Sequence, residues 1–206
     1  TYTGVGNITL SLTSLTGGIA SSPAAGDVVI VAYGASYVAD ANLSMVTSGY
    51  TELADLFGDD LNETVFGVYA KDMGSTPDTS VSATNTDDYA GWFIVAQVWR
   101  NTNVTSGVVT PIATATGGNT GKANPPSVTP TVPGSVVIVA GIGSVESSAS
   151  AFTAPSGITL WQSSADDYTC FAMGAYVGWT SGAYNCEAFG GGSTSSYDSW
   201  CAASII

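Results

Sequence analysis

Apolar and polar residues follow two rhythms along this chain. Ile8, Leu10 and Leu12 alternate with Thr9, Ser11 and Thr13, the period of two expected of a strand buried on one face. Residues 28–32, VVIVA, form instead a continuous apolar run that is short, β-branched and bounded by glycines. Such a run suits a central strand covered on both faces better than a helix. It returns at 136–140 inside a repeated heptapeptide: GDVVIVA at 26–32 and GSVVIVA at 134–140 differ only where Asp27 becomes Ser135.

The offset between the copies is 108 residues, and other landmarks keep it. Ser48, Gly49 and Thr51 recur as Ser156, Gly157 and Thr159; Tyr89 and Trp92 recur as Tyr197 and Trp200. Gly67 and Tyr69 align with Gly174 and Tyr176 one residue out of phase, as one loop deletion would produce. Two copies are too few for a solenoid, which needs at least about three repeats to bury its core. They fit one closed body made of two related halves.

Further strands are expected at 50–53, 65–70, 79–84 and 89–99, with loops at 39–49 and 55–63. The second half repeats the plan at 136–140, 158–161, 168–177, 184–189 and 200–206. Residues 101–133, rich in Thr, Gly, Pro and Asn, hide an edge strand at 108–109 and 112–115, whose counterpart is the N-terminal arm. No stretch sustains a 3.6-residue period with caps, so helix should be scarce.

Short strands spaced by Gly/Pro turns indicate an all-β sandwich or barrel. Two homologous halves match a jelly-roll β-sandwich of two pseudo-repeated Greek keys, with the repeated strand of each half central in its sheet. The expected organisation is a single domain over 1–206: arm 1–22, half one 23–100, bridge 101–132, half two 133–206. Trp92 and Trp200 read as equivalent core residues.

Charge narrows the function classes. Three Lys+Arg against 16 Asp+Glu give a formal net charge of −13, which disfavours nucleic acid and anionic membrane as partners. No apolar run approaches a membrane span. The N-terminal TYTGVGNITL lacks the features of a signal peptide and reads as a mature or Met-trimmed start. Of the three cysteines, Cys186 and Cys201 flank a Gly-rich turn and could face each other, but three small core residues is the simpler reading.

The chain contains no histidine, which removes Ser-His-Asp and Cys-His catalysis and imidazole-bearing zinc sites. No P-loop or dinucleotide fingerprint occurs, and no carboxylate pair is singled out, so a non-enzymatic role without a cofactor is expected. Asp55, Asp59, Asp60 and Glu63 crowd one stretch and could supply oxygen ligands to Ca²⁺, although acidic surface loops are ordinarily just solvated. Asp166 and Asp167 stand at the matching place in the second half, and Asp87 and Asp88 precede a strand. Trp161, Trp179 and Tyr184, near loop ends, are candidates for stacking on a host-surface glycan; sealing the sandwich ends is the structural alternative. Ile8, Leu10 and Leu12 form a candidate interface by strand addition to a neighbouring subunit, against pairing within their own sheet. The Asn-x-Ser/Thr sequons at Asn7, Asn42, Asn62 and Asn103 carry little in so Ser/Thr-rich a chain.

In order, the chain shows a Gly-Asp-apolar strand, SGYTEL, VYAKD, a Trp-bearing strand and a Pro/Thr-rich bridge, and then the plan again. Through 26–32, 49–53, 68–72, 133–140 and 154–160 it resembles jelly-roll structural proteins of tailed, often marine, bacteriophages. The second copy departs at Gly178 and Trp179, where the first has Lys71 and Asp72. The resemblance implies a virion component: capsid decoration or cement protein, head fibre, or tail-associated adhesin. Its implied partners are the major capsid protein or another virion protein and further copies of itself, on the virion surface after assembly in the host cytoplasm. A carbohydrate-binding module and a donor-strand filament subunit are the rival expectations.

Overall fold

The computed structural model describes residues 2–3, 6–17, 19–37, 43–59, 61–86, 91–100, 112–146, 148–193 and 198–206. Among them there is no helix, and so none long and apolar enough to cross a membrane. The first half supplies β1 (Tyr2–Thr3), β2 (Gly6–Ser11), β3 (Val28–Ser36), β4 (Leu43–Met45), β5 (Thr51–Gly58), β6 (Thr64–Asp72), β7 (Ser80–Asn85) and β8 (Gly91–Trp99). β9 (Ile112–Gly118), β10 (Val136–Ser144), β11 (Thr159–Ala165), β12 (Thr169–Val177) and β13 (Ser199–Ile205) follow. Two five-stranded sheets result, ordered β1-β8-β3-β6-β5 and β9-β13-β10-β12-β11, with a third sheet β2-β7-β4. All pairings are antiparallel.

The two five-stranded sheets match place for place, and each copy of the repeated strand is central in its own sheet. Ala35 opposes Trp92 as Gly143 opposes Trp200, so the two tryptophans are equivalent, with the expected offset. Both edge hairpins carry a bulge at the same place, leaving Leu53 and Trp161 as the extra residues. The alignment of Gly67 with Gly174 is corrected: Val31 opposes Tyr69 while Val139 opposes Gly174, so Gly174 matches Tyr69 and Tyr176 matches Lys71. The cause is a shorter connection between β11 and β12 than between β5 and β6. Each glycine has a local reason instead. At Gly67 a Cβ would meet the stacked rings of Tyr33 and Tyr69, and at Gly174 the carbonyl of Thr159.

Burial explains the unbroken apolar run. Ile30 and Ala32 point inward, where they join Phe66, Val68 and Phe93 with Ile138, Ala140, Ile142, Phe171, Met173, Ala203 and Ile205 in one interior shared by both halves. Phe171 lies 6.2 Å from Phe66 and 5.9 Å from Phe93, ring to ring, linking the halves. Val29 and Val31 point the other way, under Leu12 and Val81 of the third-sheet segments. Val137 and Val139 are covered by Ala123, Val128, Phe152, Cys186 and Phe189, without a third sheet. Every residue of β3 is therefore buried.

Several expectations shift in detail. Residues 184–189 are not a strand; Tyr184 bridges Val128 in both directions and Phe189 N–H donates to the Ala123 carbonyl, a broken ladder interrupted by Pro125 and Pro126. A short strand, β4, lies inside the expected loop 39–49, and β5 runs on through Asp55 to Gly58. The arm does occupy the edge equivalent to β9, but only through β1; β2 then pairs with β7. Tyr89, Tyr197, Asp87, Asp88, Val108, Val109, Asn42 and Asn103 lie outside the described residues.

At one end of the sandwich the facing sheets are joined by buried hydroxyls. Ser36 and Thr169 share a hydrogen bond across the halves. Thr64 and Ser199 share another of 2.9 Å, and Ser199 also donates to the Asn62 carbonyl. The Tyr37 hydroxyl donates to the Val145 carbonyl at 2.9 Å. Ser36, Thr64, Thr169 and Ser199 are all fully buried, so each needs the other's hydroxyl in place of water. Thr169→Val should strand the Ser36 hydroxyl and lower stability by about 1–3 kcal/mol in urea unfolding, whereas Ser36→Ala combined with Thr169→Val should recover most of that loss.

Candidate functional site

The acidic candidates are spread over different elements. Asp55 is exposed on β5, Asp59 is exposed just after it, and Glu63 is half-buried with its carbonyl accepting the Tyr37 N–H at 2.8 Å. Asp60 lies outside the described residues. Among the described residues no three His, Cys, Asp or Glu side chains are grouped to hold one ion. In the second half Asp166 serves the fold, since its Oδ1 accepts the Tyr168 and Thr169 N–H groups at 3.0 and 2.7 Å and so closes the turn from β11 into β12. Its carboxylate lies over Gly91, where a side chain would collide with it.

Of the three aromatic candidates, one is presented to solvent. Trp179 is 7% exposed, and its indole N–H donates to the Gly182 carbonyl at 2.9 Å, inside its own turn. Tyr184 is half-buried and stacked on Tyr176 at 4.7 Å, and burial pushes its hydroxyl up to about 12. Both rings pack within their own chain. Trp161, the bulge residue of β11, is 44% exposed and leans on Trp99 of β8 at 4.9 Å and 46°. The Trp99 indole N–H and, two residues earlier on β8, both amide atoms of Gln97 are buried without hydrogen-bond partners. No protein-family model matches the chain, and no curated protein or solved structure matches it either.

The end of β8 beside this pair is held by an ion pair. Arg100 donates through Nε and Nη2 to the two oxygens of Asp27 at 2.8 and 2.7 Å, and the Ala24 N–H adds a third bond. Asp27 is the position that distinguishes the two heptapeptides; its counterpart Ser135 instead donates to the Val132 carbonyl. The Arg100 guanidinium holds the buried Asp27 carboxyl below the usual carboxylate range. Trp99, next to Arg100, is thereby fixed at the edge of the sandwich.

The remaining candidates face inward. Leu12 is fully buried, Ile8 and Leu10 are half-buried on the outer face of the first sheet, and β2 pairs with β7 as the edge strand of the third sheet. Cys170 and Cys186 belong to the outer cluster of the second half and Cys201 to the shared interior, so Cys186 and Cys201 do not face each other. Burial raises all three free thiols, Cys170 and Cys201 to about 12 and Cys186 to about 11. A half-open cleft of about 240 Å³ lies between the ends of β5 and β9, lined by Phe57, Gly58, Asp59, Thr116, Gly117 and Gly118. It offers one carboxylate, one hydroxyl and a phenyl ring. Sequence reasoning missed the Gln97–Trp99–Trp161 edge, because a glutamine within an apolar strand reads simply as its polar face; the mark was Gln97 falling on the inward parity of Phe93 and Val95.

Two outcomes follow. In the folded protein at pH 8 the three thiols should resist an aromatic disulfide reagent, and unfolding in guanidinium should release all three. Asp27→Asn should lower the thermal midpoint near neutral pH. The lowered pKa means that the wild-type advantage is complete above the unfolded carboxylate value of about 3.9 and disappears as pH falls through the folded one, so the two melting curves should converge in acid.

Proposed function

We propose that this chain is a non-enzymatic structural protein that works by occupying a place in an assembly, as a capsid decoration or cement protein, or head fibre, of a tailed phage. One observation carries the reading. The motifs through which the chain resembles phage jelly-roll proteins are scaffold throughout: 26–32 and 133–140 enter the two central strands, and 49–53 and 154–160 form the turn and bulged edge of each half. The side chains with chemical potential are engaged in holding that scaffold, including the buried thiols, the Tyr33–Tyr69–Glu52 chain of hydrogen bonds and the hydroxyls between the sheets. A shell protein of an acidic chain docks through apolar and backbone contacts more readily than through its few cations.

A second reading is favoured by one residue: Trp161 presents an indole face at a sandwich edge, as a glycan-binding module does. Immunogold microscopy of phage particles from the same source, with antibody to the purified chain, distinguishes the two. Regular labelling of particle heads at constant copy number supports the structural role. Unlabelled particles, with glycan-array binding that Trp161→Ala abolishes, would replace it with the second reading.

A further inference from the structure

β8 and β13 hold the same place in their sheets, but among the described residues only β13 is paired along its whole length on its outer side. β9 accompanies β13 along its whole length, from Ser199 opposite Gly118 to Ile205 opposite Ile112. The matching strand on β8 is β1, which reaches only Gly91 and Trp92. From Gly6 (φ 137°) onward the chain belongs to β2 and the third sheet. From Phe93 to Trp99 no described residue pairs with the outer edge of β8. Burial registers the difference: Ala202, Ala203 and Ser204 are fully buried, while their counterparts Ile94, Val95 and Ala96 are partly exposed.

Gln97 marks this edge. It stands where β13 has Ile205 and shares the inward parity of Phe93, Val95 and Trp99. It is 7% exposed, and neither its amide nitrogen nor its amide oxygen has a partner. A buried carboxamide is costly unless both functions are bonded, and the group that satisfies both at once is a second carboxamide. Exposed edges are ordinarily blunted by charge, proline or a bulge, yet residues 93–99, FIVAQVW, contain none of these. In a chain of net charge −13 this uncharged edge is a place where two copies can approach without opposing carboxylates, since Arg100 and Asp27 neutralise each other beside it.

We propose that β8 pairs with β8 of a second copy, antiparallel about a two-fold axis through Gln97. In the dimer each Gln97 side chain, its amide atoms covered in the single copy, turns to the seam, and each carboxamide donates from Nε2 to the other's Oε1. Val95 falls opposite Trp99 of the second copy, Ala96 opposite Val98, and the first sheets of the two molecules become continuous. The added strand also covers the exposed face of Trp161. A strand from a different protein could use the same edge, but it would have no reason to bring a carboxamide to this position, whereas a second copy always does. The dimer rests on the structural reading above as the unit from which the assembly is built.

Sedimentation velocity across a concentration series should show the 206-residue chain as a reversible dimer. Gln97→Cys should form an intermolecular disulfide under mild oxidation, because directly opposed residues place their Cα atoms about 4.5–5.5 Å apart, within disulfide range. Val95→Cys should not crosslink, and the three native thiols are buried. Gln97→Glu, with its fold checked by circular dichroism, should weaken the dimer at least about tenfold near pH 7 by opposing two carboxylates, and acidification should restore it. A wild-type monomer at every concentration overturns the proposal, as does crosslinking at position 95 in place of 97 or a dimer indifferent to Gln97→Glu. A monomer that still labels phage heads sinks only the dimer; a Gln97-linked dimer absent from particles sinks only the virion reading.

Discussion

Neither half of this protein can bury its own central strand. Each five-stranded sheet has two apolar faces, and the inner one is covered only by the sheet of the other half, through Ile30, Phe66, Phe93, Ile138, Ile142 and Phe171. Hydrophobic burial supplies that attachment without specifying alignment, since apolar contact is non-directional. Direction comes from the hydroxyl pairs Ser36–Thr169 and Thr64–Ser199, which have one satisfactory geometry and no access to water. The interior holds the sheets together, and the hydroxyls at one end decide how they face.

The duplication is close within the sheets and loose outside them. Central strands, edge hairpins and even the bulge recur, whereas the coverings differ: a three-stranded sheet over the first half, and irregular chain tied by single bridges over the second. The physical reason is that a covering layer has only to bury valines, and several backbone paths can do so. The cost of the first solution is local. With β2 in the third sheet from Gly6 onward, the described residues give β8 only β1 on the side where β13 has β9.

That asymmetry connects fold with function. Among the described residues the surface offers an acidic exterior, an exposed indole and, along β8, a strand edge without charge. In the structural reading proposed above, these are the features that serve attachment. The nearest alternative, sugar binding, shares the indole but does not account for the buried carboxamide of Gln97.

Much of the fold was legible in the chain itself. The repeated heptapeptide announced two related halves, the unbroken valine-rich run announced strands covered on both faces, and alternation in the arm announced a half-buried strand, because these patterns are imposed locally by the two-residue period of the strand. Register was not legible: Gly67 with Tyr69 looks like Gly174 with Tyr176, and only the ladder shows that loop length has displaced the match. Nor could the chain say which aromatic would be accessible, since Trp161 leans on Trp99 of the facing sheet while Trp179 folds back on its own turn. The destination of the arm and the solitude of Gln97 were likewise settled by tertiary structure, because a strand's pattern states which face is buried but not which neighbour buries it.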